Sequence, residues 1–215
     1  MRNTEKDGIN MAARRQALLA EGFRLFSEKG IGPVSLQEVA KAAGVGIATL
    51  YRYFSTKLDL VLAIGTWKWV EYSRHIESEQ KLRHTEDMTA AEELAFYFEF
   101  FVDLYHNHKD LLRFNQDFNN YVQQEGVTKE QLSPYFDSVH TFGRMFHDLY
   151  EKGLRDGTIR TDIPEKKMFT ATSHIMLAVA VRYTKGLLYS AEDESDKAEE
   201  FDMLRQMMLR EYTVK

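Results

Sequence analysis

The chain contains only three prolines, and their positions constrain its fold more than any other feature of the sequence. They are Pro33, Pro134 and Pro164, so long stretches of the 215 residues lack the residue that most effectively breaks an α-helix. Apolar residues recur in these stretches at the three- and four-residue spacing of a single helix face. We find no convincing strand alternation and no internal repeat. The sequence therefore predicts an all-α fold of about nine helices.

Local start and stop signals place the helices along the chain. Ser35 and Glu38 have the spacing of a capping box, and Lys29-Gly30 has the pattern of a helix C-terminus. Gly44 ends one short helix just before another begins, which is the pattern of a helix-turn-helix. The predicted helices span residues 12–29, 36–43, 47–54, 56–82, 89–108, 109–124, 129–156, 164–190 and 196–213, with loops at 83–89 and 192–196.

The net charge of −5 argues against a nucleic-acid partner, but this charge is distributed unevenly along the chain. Residues 1–57 carry nine Lys or Arg against five Asp or Glu, a balance of +4. The remaining residues carry 19 against 28, a balance of −9. This asymmetry indicates a basic module joined to an acidic one, and only the basic module favours phosphates.

Several classes of protein are excluded by composition. The chain has no cysteine, so it has no disulfide framework, no thiolate metal site and no cysteine nucleophile. Its longest unbroken apolar run is Ile175 to Val181, far short of the roughly 20 residues of a membrane-spanning helix. The first ten residues are polar and charged, unlike a secretory signal. We expect a cytoplasmic protein with no membrane partner.

The second helix of a helix-turn-helix enters the major groove, so this helix and its flanks hold the candidate DNA contacts. Thr49 and Arg52 carry groups suited to base edges or phosphates, and Gln37 is long enough to reach a base. Tyr51 and Lys57 are better placed for phosphates. The full set of candidate DNA-binding residues is Ser35, Gln37, Gly46, Ile47, Ala48, Thr49, Tyr51, Arg52, Tyr53 and Lys57.

Four motifs follow one another at fixed spacing across this region: Leu25-Phe26 with Gly30, Ser35-Leu36 with Glu38-Val39-Ala40, Ala43-Gly44-Val45, and Thr49-Leu50-Tyr51 with Tyr53-Phe54, Lys57 and Leu60. In this combination the sequence resembles the TetR family of bacterial transcriptional regulators over roughly residues 12–62. The resemblance implies a DNA-binding domain at residues 1–60 and a helical domain at 61–215 that binds a small molecule and dimerises.

The resemblance also implies how such a protein works. A homodimer would bind double-stranded, palindromic operator DNA as a repressor, and a small-molecule effector of unknown identity would release it. No enzyme activity and no cofactor are expected. Three positions depart from the family pattern. Gly46 and Ile47 are poor base readers, and Gly22 costs its helix roughly 1 kcal/mol of intrinsic stability.

The segment from Thr89 to His108 is among the most aromatic of the chain, and the helix after it adds further rings. Core packing is the default interpretation of any one of these residues. Together they predict a pocket for a hydrophobic or aromatic effector. The candidate pocket residues are Phe98, Phe101, Tyr105, Phe114, Phe118, Tyr121, Phe142, Met145 and His174, and Arg182 with Tyr183 could orient an acidic or hydroxylated ligand.

The last two predicted helices each carry an apolar stripe. In the family these helices pair with those of a second subunit, and small residues would permit close approach. The candidate dimer residues are Ala171, Ile175, Ala178, Phe201, Leu204 and Met208. The alternative is packing within one chain only.

The tripeptide His106-Asn107-His108 superficially suggests a metal site. Residues two apart on a helix point away from each other, and no further carboxylate and histidine pair completes a site in the sequence. We therefore expect no metal. Two other functions stay open at this point: a helical enzyme or carrier of apolar ligands with a vestigial helix-turn-helix, and an architectural DNA-binding protein without an effector.

Overall fold

A computed structural model describes residues 4–185 and 194–214 of the chain. Nine α-helices lie within these residues. The same residues contain one short 3-10 helix at Thr85–Asp87 and one isolated β-bridge between Ile159 and Thr213. The all-α prediction is confirmed. The helices are α1 (Thr4–Lys29), α2 (Leu36–Ala42), α3 (Ile47–Tyr53), α4 (Lys57–Leu82), α5 (Ala90–Asn107), α6 (Lys109–Gln124), α7 (Lys129–Asp156), α8 (Glu165–Lys185) and α9 (Glu194–Tyr212).

Most helix boundaries follow the predicted capping signals. Ser35 and Glu38 form the expected capping box at α2, and Thr89 with Glu92 forms another at α5. Both pairs satisfy backbone N–H groups that a helix start leaves without partners. The carbonyl of Pro164 accepts from the backbone N–H groups of Lys167 (2.9 Å) and Met168 (3.1 Å), so α8 starts directly after this proline.

Two boundaries differ from prediction. Helix α1 starts at Thr4 instead of residue 12, and α9 starts at Glu194, inside the segment predicted as an acidic loop. The predicted end of α8 near residue 190 and the first part of that loop lie outside the described residues.

The chain divides into two compact units that do not follow the order of the sequence. The first unit comprises residues 1–69 and 113–138, and the second comprises residues 70–112 and 139–215. Residues 113–124 of α6 and the start of α7 therefore group with the N-terminal helices. The functional division at residue 60 stays a prediction.

The core of the first unit joins α1 to the short helices. Leu18, Phe26, Val39 and Leu50 are fully buried. Gly22 lies where α1 passes close to α4, since a Cβ atom there would be 2.8 Å from Cδ1 of Ile64. Glycine has a low helix propensity at this position, but its lack of a side chain allows α1 and α4 to approach closely.

The second unit is built around α5, which contacts both α8 and α9. Ten of its eighteen residues are buried, including Phe98, Phe101 and Tyr105, as expected for a helix covered on most sides. Lys152 forms a largely buried ion pair with Glu93 at 2.5 Å and donates to the carbonyl of Thr85. Among the described residues, no helix is long and apolar enough to span a bilayer.

Candidate functional site

Helices α2 and α3 contact each other and are joined by a tight turn. Gly44 has φ +67°, a left-handed conformation that glycine adopts without strain. The Val45 N–H donates to the carbonyl of Ala40 (3.0 Å) and the Gly44 N–H to that of Lys41 (3.2 Å). These bonds close the end of α2 and set the direction in which α3 leaves it.

Helix α3 has one face in the core and one face in solvent. Leu50 is completely buried, and Phe54, directly after the helix, is 3% exposed. Ala48, Tyr51 and Arg52 lie on the opposite, exposed face, at the three- and four-residue spacing of neighbours on a helix. Tyr51 is 48% exposed, a high value for a large aromatic side chain. This face presents a methyl group, a phenol and a guanidinium to solvent.

The first turn of α3 contributes less polar surface. Ile47 and Thr49 are half-buried, and Gly46 occupies the N-cap position without a side chain to accept a hydrogen bond. Gly46 has φ −70°, and a Cβ atom there would have nothing within 4 Å. The glycine is therefore required neither by its backbone conformation nor by its neighbours.

Tyr53 is held by the first helix. Its hydroxyl donates to the carbonyl of Met11 over 3.1 Å, which ties the N-terminal part of α1 to the end of α3. This contact could not be predicted while α1 was expected to begin at residue 12. A phosphate contact by Tyr53 would have to share this hydroxyl.

Ser35 and Gln37 are both exposed near the start of α2. The Ser35 hydroxyl is engaged in the capping box, 3.0 Å from Oε2 of Glu38, and this carboxylate also accepts from the Ser35 N–H at 2.8 Å. Those hydrogen bonds lower the pKa of Glu38. The Gln37 side chain projects from the helix beside this cap.

Lys57, at the start of α4, is half-buried and turned toward its own domain. Its Nζ donates to the carbonyl of Gly32 at 2.9 Å. Desolvation lowers the pKa of its ammonium, against the opposing influence of Glu125 and Glu38. Thr56 and Asp59 cap the same helix end reciprocally, at 2.9 and 3.1 Å. A phosphate contact by Lys57 stays a prediction.

Three further exposed cations of the first unit are absent from the predicted contacts. Arg14 and Arg15 lie on α1, and Lys41 lies in the last turn of α2. The guanidinium of Arg15 lies 5.5 Å from the centre of the ring of Phe54, the residue directly after α3. Arg14 and Arg15 lie inside the helix predicted at residues 12–29, and their adjacent positive charges are the sequence signal for them.

The predicted pocket residues are divided between the two units. In the first unit, the rings of Phe114 and Phe118 lie 5.9 Å apart, and Phe118 stacks on Tyr135 at 4.5 Å. Tyr121 is half-buried, with its ring 5.8 Å from Nζ of Lys57. These three predicted residues therefore pack with α4 and α7 residues of the first unit.

In the second unit, Phe98 and Phe101 are buried with ring centres 6.4 Å apart, and Tyr105 packs on Phe201 at 5.6 Å. Phe142 and Met145 are half-buried on α7, and the Phe142 ring lies 6.3 Å from that of Tyr72. His174 is exposed on α8. A shared pocket for all nine residues stays a prediction.

The candidate dimer residues differ in how much surface they offer. Ile175 is 44% exposed and Ala178 is exposed, whereas Ala171 and Leu204 are half-buried. Phe201 and Met208 are only 1% and 8% exposed, so their side chains are used within the chain and have almost no area left for a partner. The exposed apolar residues of α9 are instead Met203 and Met207, at 63% and 59%.

The chain is similar to known regulatory proteins in its N-terminal part. Residues 18–64 match the family described as bacterial regulatory proteins, tetR family. This range covers α2, α3 and the parts of α1 and α4 that pack on them. The match therefore covers the helix-turn-helix and the helical segments that pack on it.

Two curated relatives extend the similarity beyond this region. The chain is 27% identical over 125 residues to the HTH-type transcriptional regulator SAR2658 of Staphylococcus aureus (strain MRSA252), covering 57% of this chain and 65% of that protein. It is 22% identical over 158 residues to the HTH-type transcriptional repressor KstR2 of Mycolicibacterium smegmatis, covering 71% of this chain and 70% of that protein.

The fold is also that of solved regulators. The structure of the transcriptional regulator FadR from Bacillus subtilis, in complex with stearoyl-CoA, matches 91% of this chain and 98% of its own with a TM-score of 0.70. The two sequences are 16% identical, so this likeness concerns the fold alone.

Proposed function

Because the chain belongs to the TetR family of bacterial regulatory proteins, we propose that it is a ligand-responsive transcriptional repressor that binds a palindromic operator as a homodimer. The observation that carries this proposal is the solvent-exposed face of α3. Ala48, Tyr51 and Arg52 stand on it side by side, with no bulky apolar side chain covering them within the first unit as described. An α-helix with such a face fits the major groove.

The contacts divide by chemistry. Arg52 and Thr49 are the candidates for base edges, because a guanidinium can pair with guanine and a threonine offers both a hydroxyl and a methyl group. Tyr51, with Arg14 and Lys41, supplies donors for phosphates. The first 57 residues carry a balance of only +4. Affinity therefore depends on two half-sites bound together and on a small number of phosphate contacts, with a moderate salt dependence.

The dimer proposal is supported by exposed apolar residues on α8 and α9, which contact each other. Ile175, Met203 and Met207 are large apolar side chains at least 44% exposed. Exposed apolar groups on adjacent helices favour burial against a second copy. In this proposal Ile175 and Ala178 keep their predicted role, and Met203 and Met207 replace Phe201 and Met208.

The effector proposal is supported by the aromatic composition of the second unit and by a solved neighbour. FadR of Bacillus subtilis holds stearoyl-CoA in a structure of the same fold. Phe142 and Met145, half-buried on α7, are apolar side chains that an acyl chain could reach. We propose an apolar or aromatic effector whose binding shifts the dimer to a form that no longer matches the operator.

The DNA-binding proposal is tested with double-stranded DNA selected from a random pool by the purified protein, followed by fluorescence anisotropy. We expect a palindromic consensus. Arg52→Ala should weaken binding about tenfold or more and relax one consensus position, and Tyr51→Ala should weaken binding to all sequences. Lys129→Ala, an exposed cation at the start of α7, is the control. Absence of any preferred sequence at low salt would refute a sequence-specific regulator.

The dimer and effector proposals need separate measurements. Met203→Glu with Met207→Glu should shift the mass measured by light scattering toward a monomer, whereas Leu82→Glu, a control on a 73% exposed leucine, should not.

The effector proposal is tested by comparing stearoyl-CoA and free stearate for release of the selected DNA. Sequence-specific binding that no small apolar ligand alters would support an architectural DNA-binding protein instead.

A further inference from the structure

Three side chains able to bind a metal lie together in the second unit although they are distant in sequence. His75 is on α4, Asp103 lies in the last turns of α5, and His108 is the residue that caps the end of α5. One ligand atom from each lies within 4.8 Å of the other two. Oδ2 of Asp103 is 3.3 Å from Nε2 of His108 and 3.7 Å from Nε2 of His75.

These separations are close to those of a formed site. Ligand atoms bound at about 2.1 Å to one tetrahedral ion lie about 3.4 Å from each other. The two distances from Asp103 Oδ2 already have this size. Only a modest approach of the two imidazoles is then needed, and His75 is free to make it because its side chain is 47% exposed.

The carboxylate is oriented by hydrogen bonds to its neighbours. Nδ2 of Asn107 donates to Oδ1 of Asp103 at 2.8 Å, so the second oxygen, Oδ2, is the one turned to both histidines. The Tyr72 hydroxyl lies 2.7 Å from the carbonyl of Phe100 and 3.1 Å from Oδ2. An ionised carboxylate oxygen has more than one lone pair, so Oδ2 can accept from this hydroxyl and still bind a cation. Such outer hydrogen bonds are typical of carboxylates that bind metals.

The electrostatic surroundings also favour a cation. The cluster lies at the C-terminal end of α5, where the helix dipole is negative. A cleft of about 280 Å³ opens beside His75 and Asp103, and its wall carries Glu79, Glu99 and Arg83. The guanidinium of Arg83 is paired with Glu99 at 2.6 Å. With Asp103, the carboxylates of this wall outnumber its guanidinium, so the cleft carries net negative charge.

We propose that His75, Asp103 and His108 bind a divalent transition-metal ion, with the remaining coordination positions open to this cleft. Imidazole ligands favour zinc, nickel, cobalt or iron(II) over magnesium and calcium, which prefer sites made of oxygen atoms alone. Two histidines and one carboxylate leave room for water or a ligand donor. We expected no metal from the sequence because His106 and His108 point away from each other on a helix and no further carboxylate and histidine pair completes a site there. The fold brings the distant His75 to His108 instead.

A second group of potential ligands, formed by His84, Glu86 and Asp87, serves as the rival site. All three are exposed, and they follow one another in the 3-10 turn and the residue before it. Ordering such solvated side chains around an ion costs conformational entropy. The carboxylate of Asp103 is already ordered by its hydrogen bonds, so binding there costs less. The observations therefore favour the cluster of His75, Asp103 and His108.

The test is metal binding by the full chain after removal of bound metal with a chelator. Zinc is titrated by calorimetry, and cobalt(II) by the visible absorption that reports its coordination. The ligand variant combines His75→Ala with His108→Ala. His106→Ala, on the exposed side of the same helix end, is the matched control, and His84→Ala examines the rival site.

We expect one zinc ion per chain with Kd at or below about 10 µM, and at least about a hundredfold weaker binding in the ligand variant. His106→Ala and His84→Ala should bind zinc like the unaltered chain. Wild-type protein that fails to bind zinc and cobalt, or a ligand variant that binds them unchanged, overturns the proposal. Loss of binding in His84→Ala alone does so as well. Thermal unfolding without metal shows whether each variant is folded, and since no DNA is involved, the outcome is independent of the proposed operator binding.

Discussion

The ammonium of Lys57 lies 2.9 Å from the carbonyl oxygen of Gly32 and donates a hydrogen bond to it. This bond joins the start of α4 to the loop that leads into α2. The same Nζ lies 5.9 Å from the ring centre of Phe26 and 5.8 Å from that of Tyr121. One cation thus contacts residues of three other segments of the first unit, and it helps to hold the helix-turn-helix in position.

Replacing Lys57 with methionine should destabilise the protein by about 1–2 kcal/mol. The apolar stem would keep its contacts with the aromatic rings, whereas the Gly32 carbonyl would lose a charged donor. Urea unfolding measures the change. Lys41→Met, which alters an exposed lysine of α2, should change the free energy of unfolding by less than about 0.5 kcal/mol. Equal effects of the two substitutions would mean that the bond to Gly32 is not important for stability.

The two glycines that flank Val45 should respond differently to alanine. Gly44 has φ +67°, so Gly44→Ala should cost about 1–2 kcal/mol. Gly46 has φ −70° and open space at its Cβ position, so Gly46→Ala should cost little. Gly46→Ser should stabilise α3 by a few tenths of a kcal/mol through an N-cap hydrogen bond. Thermal unfolding of all three variants tests this order, which would be wrong if Gly46→Ala were the more damaging change.

Two glycines inside long helices form a second matched pair. A Cβ atom at Gly65 would lie 2.9 Å from Phe118 and 3.2 Å from Tyr135, whose rings are stacked. Gly65→Ala should therefore destabilise the protein by about 1–3 kcal/mol, because the stacked rings have little room to move. At Gly143 the nearest atom is 3.8 Å away, so Gly143→Ala should stabilise α7 by up to about 1 kcal/mol. Urea unfolding should give opposite signs for the two variants.

The ion pair between His147 and Glu165 should make stability depend on pH. Nδ1 of His147 lies 3.0 Å from Oε2 of Glu165, and this hydrogen bond, with the charge of Glu165, raises the pKa of His147. A histidine whose pKa is higher in the folded state adds stability below its unfolded pKa, and this stability is lost as pH rises through the folded value.

His147→Gln should accordingly lower the free energy of unfolding at about pH 6 and have no effect at about pH 9. Glu165→Gln should remove the same pH-dependent part, because the pair needs both partners. Urea unfolding at the two pH values measures it. A deficit that is equal at both values would assign the contribution of His147 to packing and not to its charge.

The sequence by itself determined the helices and the helix-turn-helix. Their boundaries depend on interactions between residues three or four apart, such as the capping pair of Ser35 and Glu38 and the glycine turn at Gly44. The exposed face of α3 also follows from local spacing, since the buried Leu50 defines the opposite face. These features need no knowledge of which helices meet.

Only the tertiary structure decided how distant residues are grouped. It placed Phe118 against Tyr135 within the first unit and packed Tyr105 on Phe201 within the second. It also turned Lys57 to Gly32 and brought His75 to Asp103 and His108. The physical reason is that helix formation is a local hydrogen-bonding event, whereas the partner of each helix face depends on how all the helices pack together.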